Sequence, residues 1–109
     1  VTFGEYQNNA INTAVYPKKG DNIYYPALGL GGEAGEVLNK IKKVMRDHNG
    51  VVSDEMRSSL IAEIGDCLWY CAALCSEVGI TMEAVAVKNI EKLKERSRRG
   101  NLQGSGDLR

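Results

Sequence analysis

Two acidic pairs with the same spacing, Glu33 with Glu36 and Glu63 with Asp66, carry the clearest chemical potential in this 109-residue chain. Residues three apart on a helix share a face, so each pair offers two carboxylates side by side. Winding the sequence around Glu33 at about 100° per residue puts Val44, Val37, Leu30, Ile41, Ala34, Met45 and Leu38 on one apolar arc, from roughly 20° to 140°. The same winding from Glu63 gathers Leu74, Cys67, Leu60, Cys71, Ile64, Cys75 and Leu68 on a matching arc. In both segments the acids border the apolar arc instead of opposing it, which predicts that both pairs lie near the core. Four carboxylates at an apolar rim repel one another and lose hydration, a cost that protons or cations must offset. Mg²⁺ takes oxygen ligands and keeps several waters, leaving room for a substrate phosphate. The pattern therefore points to chemistry on phosphate esters or anhydrides, against the alternative that the acids line a solvated boundary and pair with Lys40 and Lys43.

These acids need helices to position them, and the punctuation of the chain supplies four. The first is predicted over about residues 3 to 15, closed by the turn-forming stretch 16–21. The second runs from about Tyr24 to Asp47, where His48, Asn49 and Gly50 tolerate a left-handed ending. Ser53 is an N-cap and Asp54 and Glu55 suit the first turn of a third helix that reaches about Val78. Gly79 followed by Ile80 is a glycine stop, and Thr81 caps a fourth helix that ends near Arg99. Residues 1–100 thus form one helical domain, and 101–109, rich in Gly and Ser, form a C-terminal tail that is free unless something pins it.

Composition agrees with an all-α domain. Two prolines, one phenylalanine and no long alternating β-branched run leave little material for a sheet. Fourteen basic residues balance fourteen acidic ones, which argues against binding a nucleic-acid polymer through its phosphates. No run approaches the roughly 18 apolar residues that span a bilayer, and the first ten residues lack a secretory pattern, so no membrane partner is expected. Cys67, Cys71 and Cys75, odd in number and stacked on one helical face, predict core thiols in a reducing, cytoplasmic setting. No Gly-Lys-Ser/Thr ending follows Gly29, Gly31, Gly32 or Gly35, so these are not a phosphate-cradling loop and instead permit close helix approach.

The residues 32–36 (Gly-Glu-Ala-Gly-Glu) and 63–70 (Glu-Ile-Gly-Asp-Cys-Leu-Trp-Tyr) resemble the two metal motifs of MazG-like nucleoside triphosphate pyrophosphohydrolases. The likeness extends to Tyr6, Gln7 and Thr13 in the first helix, to residues 89–93 with Arg96 in the last, and to the Gly-Ser-Gly-Asp-Leu-Arg ending at 104–109. The resemblance implies a four-helix, oligomeric fold in which Glu33, Glu36, Glu63 and Asp66 hold Mg²⁺, with Mn²⁺ as a substitute. It further implies that water attacks the α-phosphorus of a nucleoside triphosphate, giving monophosphate and pyrophosphate. Many members carry one more acid just before the first pair, where this chain has Gly32, which bears on the number of metals. Related substrates, dUTP or phosphoribosyl-ATP, remain alternatives, as does a non-catalytic helical module for oligomerisation or regulation. A homodimer or homotetramer is expected, because two long amphipathic helices leave apolar surface uncovered in a single chain.

Candidate substrate contacts surround the acids. Tyr70, one turn after Asp66, projects beside the acidic stripe and matches an aromatic substrate contact of related dCTP pyrophosphatases; otherwise it is a core-edge tyrosine. Trp69 points away from the apolar arc, which favours helix packing or an oligomer interface over base stacking. Lys40 projects between Glu33 and Glu36, toward a phosphate or into an ordinary ion pair with Glu36. Asn89 sits on an apolar stripe of the last helix and needs a hydrogen-bond partner, either a ligating carboxylate or the nucleotide. Of the cationic run that follows, Lys92 and Arg96 are the phosphate candidates, while the rest fits a solvated helix end. His48 has no partner at ligand spacing and reads as a surface or capping residue.

Overall fold

Single polar side chains start all four helices. In the computed structural model, which describes residues 1–100 and 102–108, Thr2 Oγ1 accepts from Glu5 N, Ser53 Oγ from Met56 N and Thr81 Oγ1 from Ala84 N, each at 3.1 Å. These bonds satisfy donors that a helix start leaves unpaired, and they open α1 (Phe3–Asn12), α3 (Asp54–Glu77) and α4 (Met82–Arg98). Asn22 does the same for α2 (Tyr24–Asp47), its Oδ1 accepting from Tyr24 N and Tyr25 N. At the other end of α3, Gly79 adopts φ +74° while Ile80 N bonds Cys75 O and Gly79 N bonds Ser76 O. That pairing is the glycine-dependent stop expected there. The class is all-α as expected: four helices, and no strand among the described residues.

α1 ends three residues earlier than its periodicity predicts. The Thr13 amide and hydroxyl both donate to Ala10 O, at 3.0 and 2.7 Å, and Ala14 N bonds Ile11 O, tightening the last turn. The chain then leaves the helix so that Ala14 and Tyr16 turn inward and are buried with Ala73.

α3 is the central element. α2 packs along it most extensively, and α1 packs on its second half, with lesser contact to α4. Ala72 and Ala73 are fully buried, and their small side chains let α1 approach closely around Ala10, Cys75 and Met82. Two polar residues fasten this end of the bundle. Buried Gln7 donates from Nε2 to Ser76 Oγ and Ile80 O and accepts at Oε1 from Met82 N, which ties α1 to the α3–α4 turn with every amide atom used. The Glu77 carboxylate accepts from Gly20 N and Asn22 N, holding the α1–α2 connection against the end of α3.

The predicted apolar arcs are only partly covered. Cys75 is buried, but Cys67 and Cys71 are half-buried, and Leu38, Met45 and Ile64 expose 70%, 78% and 55% of their surface. The reason is that α1 packs on Ala72, Ala73 and Trp69, beside the α3 arc and along its C-terminal half only. By length and composition α3 is apolar enough to cross a membrane, although Glu63 and Asp66 stand near its middle. Of the tail over 101–109, Asn101 and Arg109 lie outside the described residues; the remainder turns back toward α4 with Gly104 and Gly106 at φ +114° and +82°.

Candidate functional site

The α2–α3 packing sets Glu33 against Glu63 and Asp66. One carboxylate oxygen from each lies within 4.8 Å of the others, with Glu33 and Glu63 half-buried and Asp66 exposed. Partial burial, and then the charges of Asp66, Glu63 and Glu36, hold the Glu33 carboxyl above its usual range. Glu36 therefore stands near enough to be felt by Glu33, yet it lies outside the tight trio and is exposed. Among the described residues no ion pair joins any of the four acids to Lys40 or Lys43; the described pairs lie elsewhere, such as Arg57 with Asp54 and Arg46 with Asp47.

The donor set fits a hard divalent cation. Mg²⁺ takes oxygen ligands at about 2.1 Å, so its ligand atoms lie within about 4.2 Å of one another, close to the 4.8 Å within which these three carboxylates converge. Three acids also leave coordination positions for water and phosphate.

Beside the acids opens a cleft of about 370 Å³ lined by Thr13, Glu33, Asp66, Trp69 and Tyr70. Tyr70 sits there because Gly29 of α2 has no side chain: a Cβ at Gly29 would lie 2.1 Å from Tyr70 Cε1. The ring takes the space of that missing carbon, so the expectation of close approach at this glycine holds, with a ring as the approaching group. Burial first, then Tyr25, Glu33 and Asp66, push the Tyr70 hydroxyl pKa up, so it stays a neutral donor beside the acids. Trp69 stands edge-on to Tyr70, with ring centroids 5.1 Å apart, and edge-on to Tyr16, which stacks on Tyr25 at 4.8 Å. Its indole Nε1 donates to Thr13 Oγ1 at 2.9 Å. Trp69 thus packs on α1, as its wheel position predicts, and the same indole forms one wall of the cleft.

The other candidates are dispersed. Lys40 is half-buried on α2, one turn after Glu36. Asn89 is exposed in an apolar groove shared with Phe3, Leu68, Cys71 and Ile90, and it does not line the acid cleft. Lys92 and Arg96 do not line it either; both hold Asp107 of the tail. Arg98 and Arg99 pair with Glu95, as a solvated helix end would. Sequence reasoning missed Gly29 as the seat of Tyr70 and Trp69 with Thr13 as cleft wall. The available signal was angular: Trp69 falls about 60° from Asp66 on the helical wheel, close enough to share its side.

Comparison with known proteins identifies the family of the chain. The chain is 45% identical over 109 residues to the Gene 37 protein of Mycobacterium phage L5, covering 95% of this chain and 96% of that one. No solved structure matches it. Residues 26–100, which contain both acidic pairs and Tyr70, match the MazG nucleotide pyrophosphohydrolase domain. The chain belongs to that family.

Proposed function

We propose that this protein hydrolyses nucleoside triphosphates, deoxy forms included, to monophosphate and pyrophosphate, and so removes surplus or unwanted nucleotides from the pool. The observation that carries this reading is the convergence of Glu33, Glu63 and Asp66 within 4.8 Å at the edge of an aromatic-walled cleft. Glu33, Glu63 and Asp66 would hold the metal, together with Glu36 on the same face of α2. Mg²⁺, or Mn²⁺ in its place, would supply neutralisation of phosphate charge and activation of the attacking water when bound there. That water adds to the α-phosphorus, the bond to the bridging oxygen breaks, pyrophosphate leaves with the electron pair, and the water's proton passes to solvent. Tyr70 presents its ring edge and hydroxyl to the ribose or base, and Lys40 reaches toward the departing phosphates.

The uncovered apolar faces of α2 and α3 support a homo-oligomer, dimer or tetramer, because a second copy offers the same apolar stripe in return. Three free thiols fit a cytoplasmic setting. Incubating the protein with normal and modified nucleoside triphosphates, with and without Mg²⁺, tests the reading. Metal-dependent monophosphate plus pyrophosphate is the expected product pair. Diphosphate plus orthophosphate would move the site of attack, and no turnover by folded oligomer would favour a binding module.

A further inference from the structure

Four aromatic rings close into a circuit beside the acids. Tyr16 stacks on Tyr25 with centroids 4.8 Å apart, Tyr25 meets Tyr70 at 6.3 Å, Tyr70 stands edge-on to Trp69 at 5.1 Å, and Trp69 stands edge-on to Tyr16 at 6.4 Å. Each ring rests on two others, so turning one disturbs its neighbours. Of the four, Trp69 and Tyr70 line the cleft, and with their planes at 87° they make a corner in which a flat base can stack on one ring and meet the edge of the other. One polar bond ties this corner to the end of α1. Trp69 Nε1 donates to Thr13 Oγ1 at 2.9 Å, and Thr13 Oγ1 donates its own proton to Ala10 O at 2.7 Å. A hydroxyl whose proton is committed can only accept from the indole, so both partners are held in one orientation. Thr13 is exposed and Trp69 half-buried, so water could serve the indole N–H in its place. Satisfying that donor does not require Thr13; fixing the plane of the ring does.

We infer that Thr13 is a positioning residue for the base-binding half of the cleft: its hydroxyl sets the orientation of the Trp69 indole, and the aromatic circuit passes that orientation on to Tyr70. The part of the ligand it serves is a flat heteroaromatic base, because the acids occupy the other side of the same cleft and suit the phosphate end. The inference rests on the hydrolase reading for what the cleft holds, while the setting of the indole is measured without substrate. Thr13 acts through Trp69 and takes no part in the chemistry at phosphorus.

The chain has a single tryptophan, so its emission and its indole N–H resonance report this ring alone. Thr13→Val keeps the shape of the side chain and removes the acceptor, whereas Thr13→Ser keeps the acceptor; Thr13→Ala, which also lacks it, serves where valine disturbs the turn. Without ligand, Thr13→Val is expected to speed exchange of the indole N–H with solvent, and Thr13→Ser to leave it slow. With Mg²⁺ and the deoxynucleoside triphosphate turned over fastest, Thr13→Val is expected to raise KM about tenfold with kcat held within about twofold, and Thr13→Ser to restore KM. Tripolyphosphate, which has no base, is expected to inhibit all of these proteins equally, because the phosphate end does not use the corner. An unchanged KM in Thr13→Val, an equal loss of tripolyphosphate inhibition, or no rescue by serine would overturn the inference. So would an indole N–H that exchanges no faster. Nucleotide binding is followed in parallel by quenching of Trp69 emission. Triphosphates that quench it without turnover would overturn the hydrolase reading alone, the same loss in Thr13→Val then being read as affinity. Triphosphates that neither quench nor turn over would overturn both.

Discussion

In the α2–α3 cleft three carboxylates crowd within 4.8 Å, and among the described residues no lysine or arginine pairs with them; on α4, two cations meet an aspartate that the chain supplies itself. The titration behaviour of the two regions is opposite in sign. Burial and neighbouring acids raise the Glu33 carboxyl, whereas hydrogen bonds from Lys92 and then Arg96 hold Asp107 below its ordinary range. One region is uncompensated without a cation, and the other, a clasp of Asp107 with Lys92 and Arg96, is compensated within the chain. Removing a carboxylate should therefore relieve the first region and loosen the second, so substitutions in the two places should act in opposite directions.

Glu63→Gln should show the largest effect. Loss of one ligand oxygen is expected to lower metal-dependent triphosphate hydrolysis by at least about a hundredfold, roughly 2.7 kcal/mol of transition-state stabilisation. In EDTA the same variant should melt no lower than the unmodified protein, because one like charge has left the cluster, while the rise in Tm with added Mg²⁺ shrinks. Thermal melts with and without Mg²⁺ check the sign: a large destabilisation in EDTA would mean that Glu63 is structural and that the two regions are not opposites.

Gly29→Ala comes next. Its Cβ would fall 2.1 Å from Tyr70 Cε1, against the body of a ring held by Tyr25 and Trp69, so the ring must shift. Overpacking of this kind costs about 1–3 kcal/mol. If Tyr70 is a substrate contact, KM should rise about tenfold while Mg²⁺ affinity holds, since Glu33, Glu63 and Asp66 remain in place. Steady-state kinetics alongside urea unfolding separates the two effects. Equal loss of Mg²⁺ affinity would show that the aromatic wall also positions the acids.

What the sequence made legible was what depends on near neighbours. Ser53, Thr81 and Gly79 set helix ends through bonds within five residues, and the i, i+3 acids followed from helical periodicity alone. Distant partners stayed hidden. Gln7 reaches Ser76, Ile80 and Met82 across some seventy residues, and its only local sign is a polar residue on the same face as Phe3 and Ala10. Glu36 matched Glu33 in pattern but not in convergence, because spacing along one helix says nothing about which turn faces the neighbouring helix. The arcs misjudged burial for a related reason: an apolar stripe shows that something should cover it, and α1 took the alanine side of α3 instead. The tail's return to α4 was also beyond pattern reading, since it hangs on one aspartate at the end of a glycine-rich run.

The smallest effect is the pH response of the clasp. A carboxyl whose pKa is lowered on folding contributes stability that is fully present above the unfolded value and is lost as pH falls through the folded one. For Asp107 the unfolded value is about 3.9, so the clasp should be insensitive to pH from neutrality down to that point and should open only below it, as Lys92 and Arg96 lose their anion. Glu33 should behave in the reverse way in metal-free protein, taking up its proton above the ordinary glutamate range and relieving repulsion as it does so. Carboxyl ¹³C shifts followed by NMR in EDTA place both midpoints in one titration. Added Mg²⁺ should pull the Glu33 midpoint down and leave that of Asp107 where it is. An Asp107 midpoint that moved with Mg²⁺ would mean that the two charge clusters are coupled and do not respond independently.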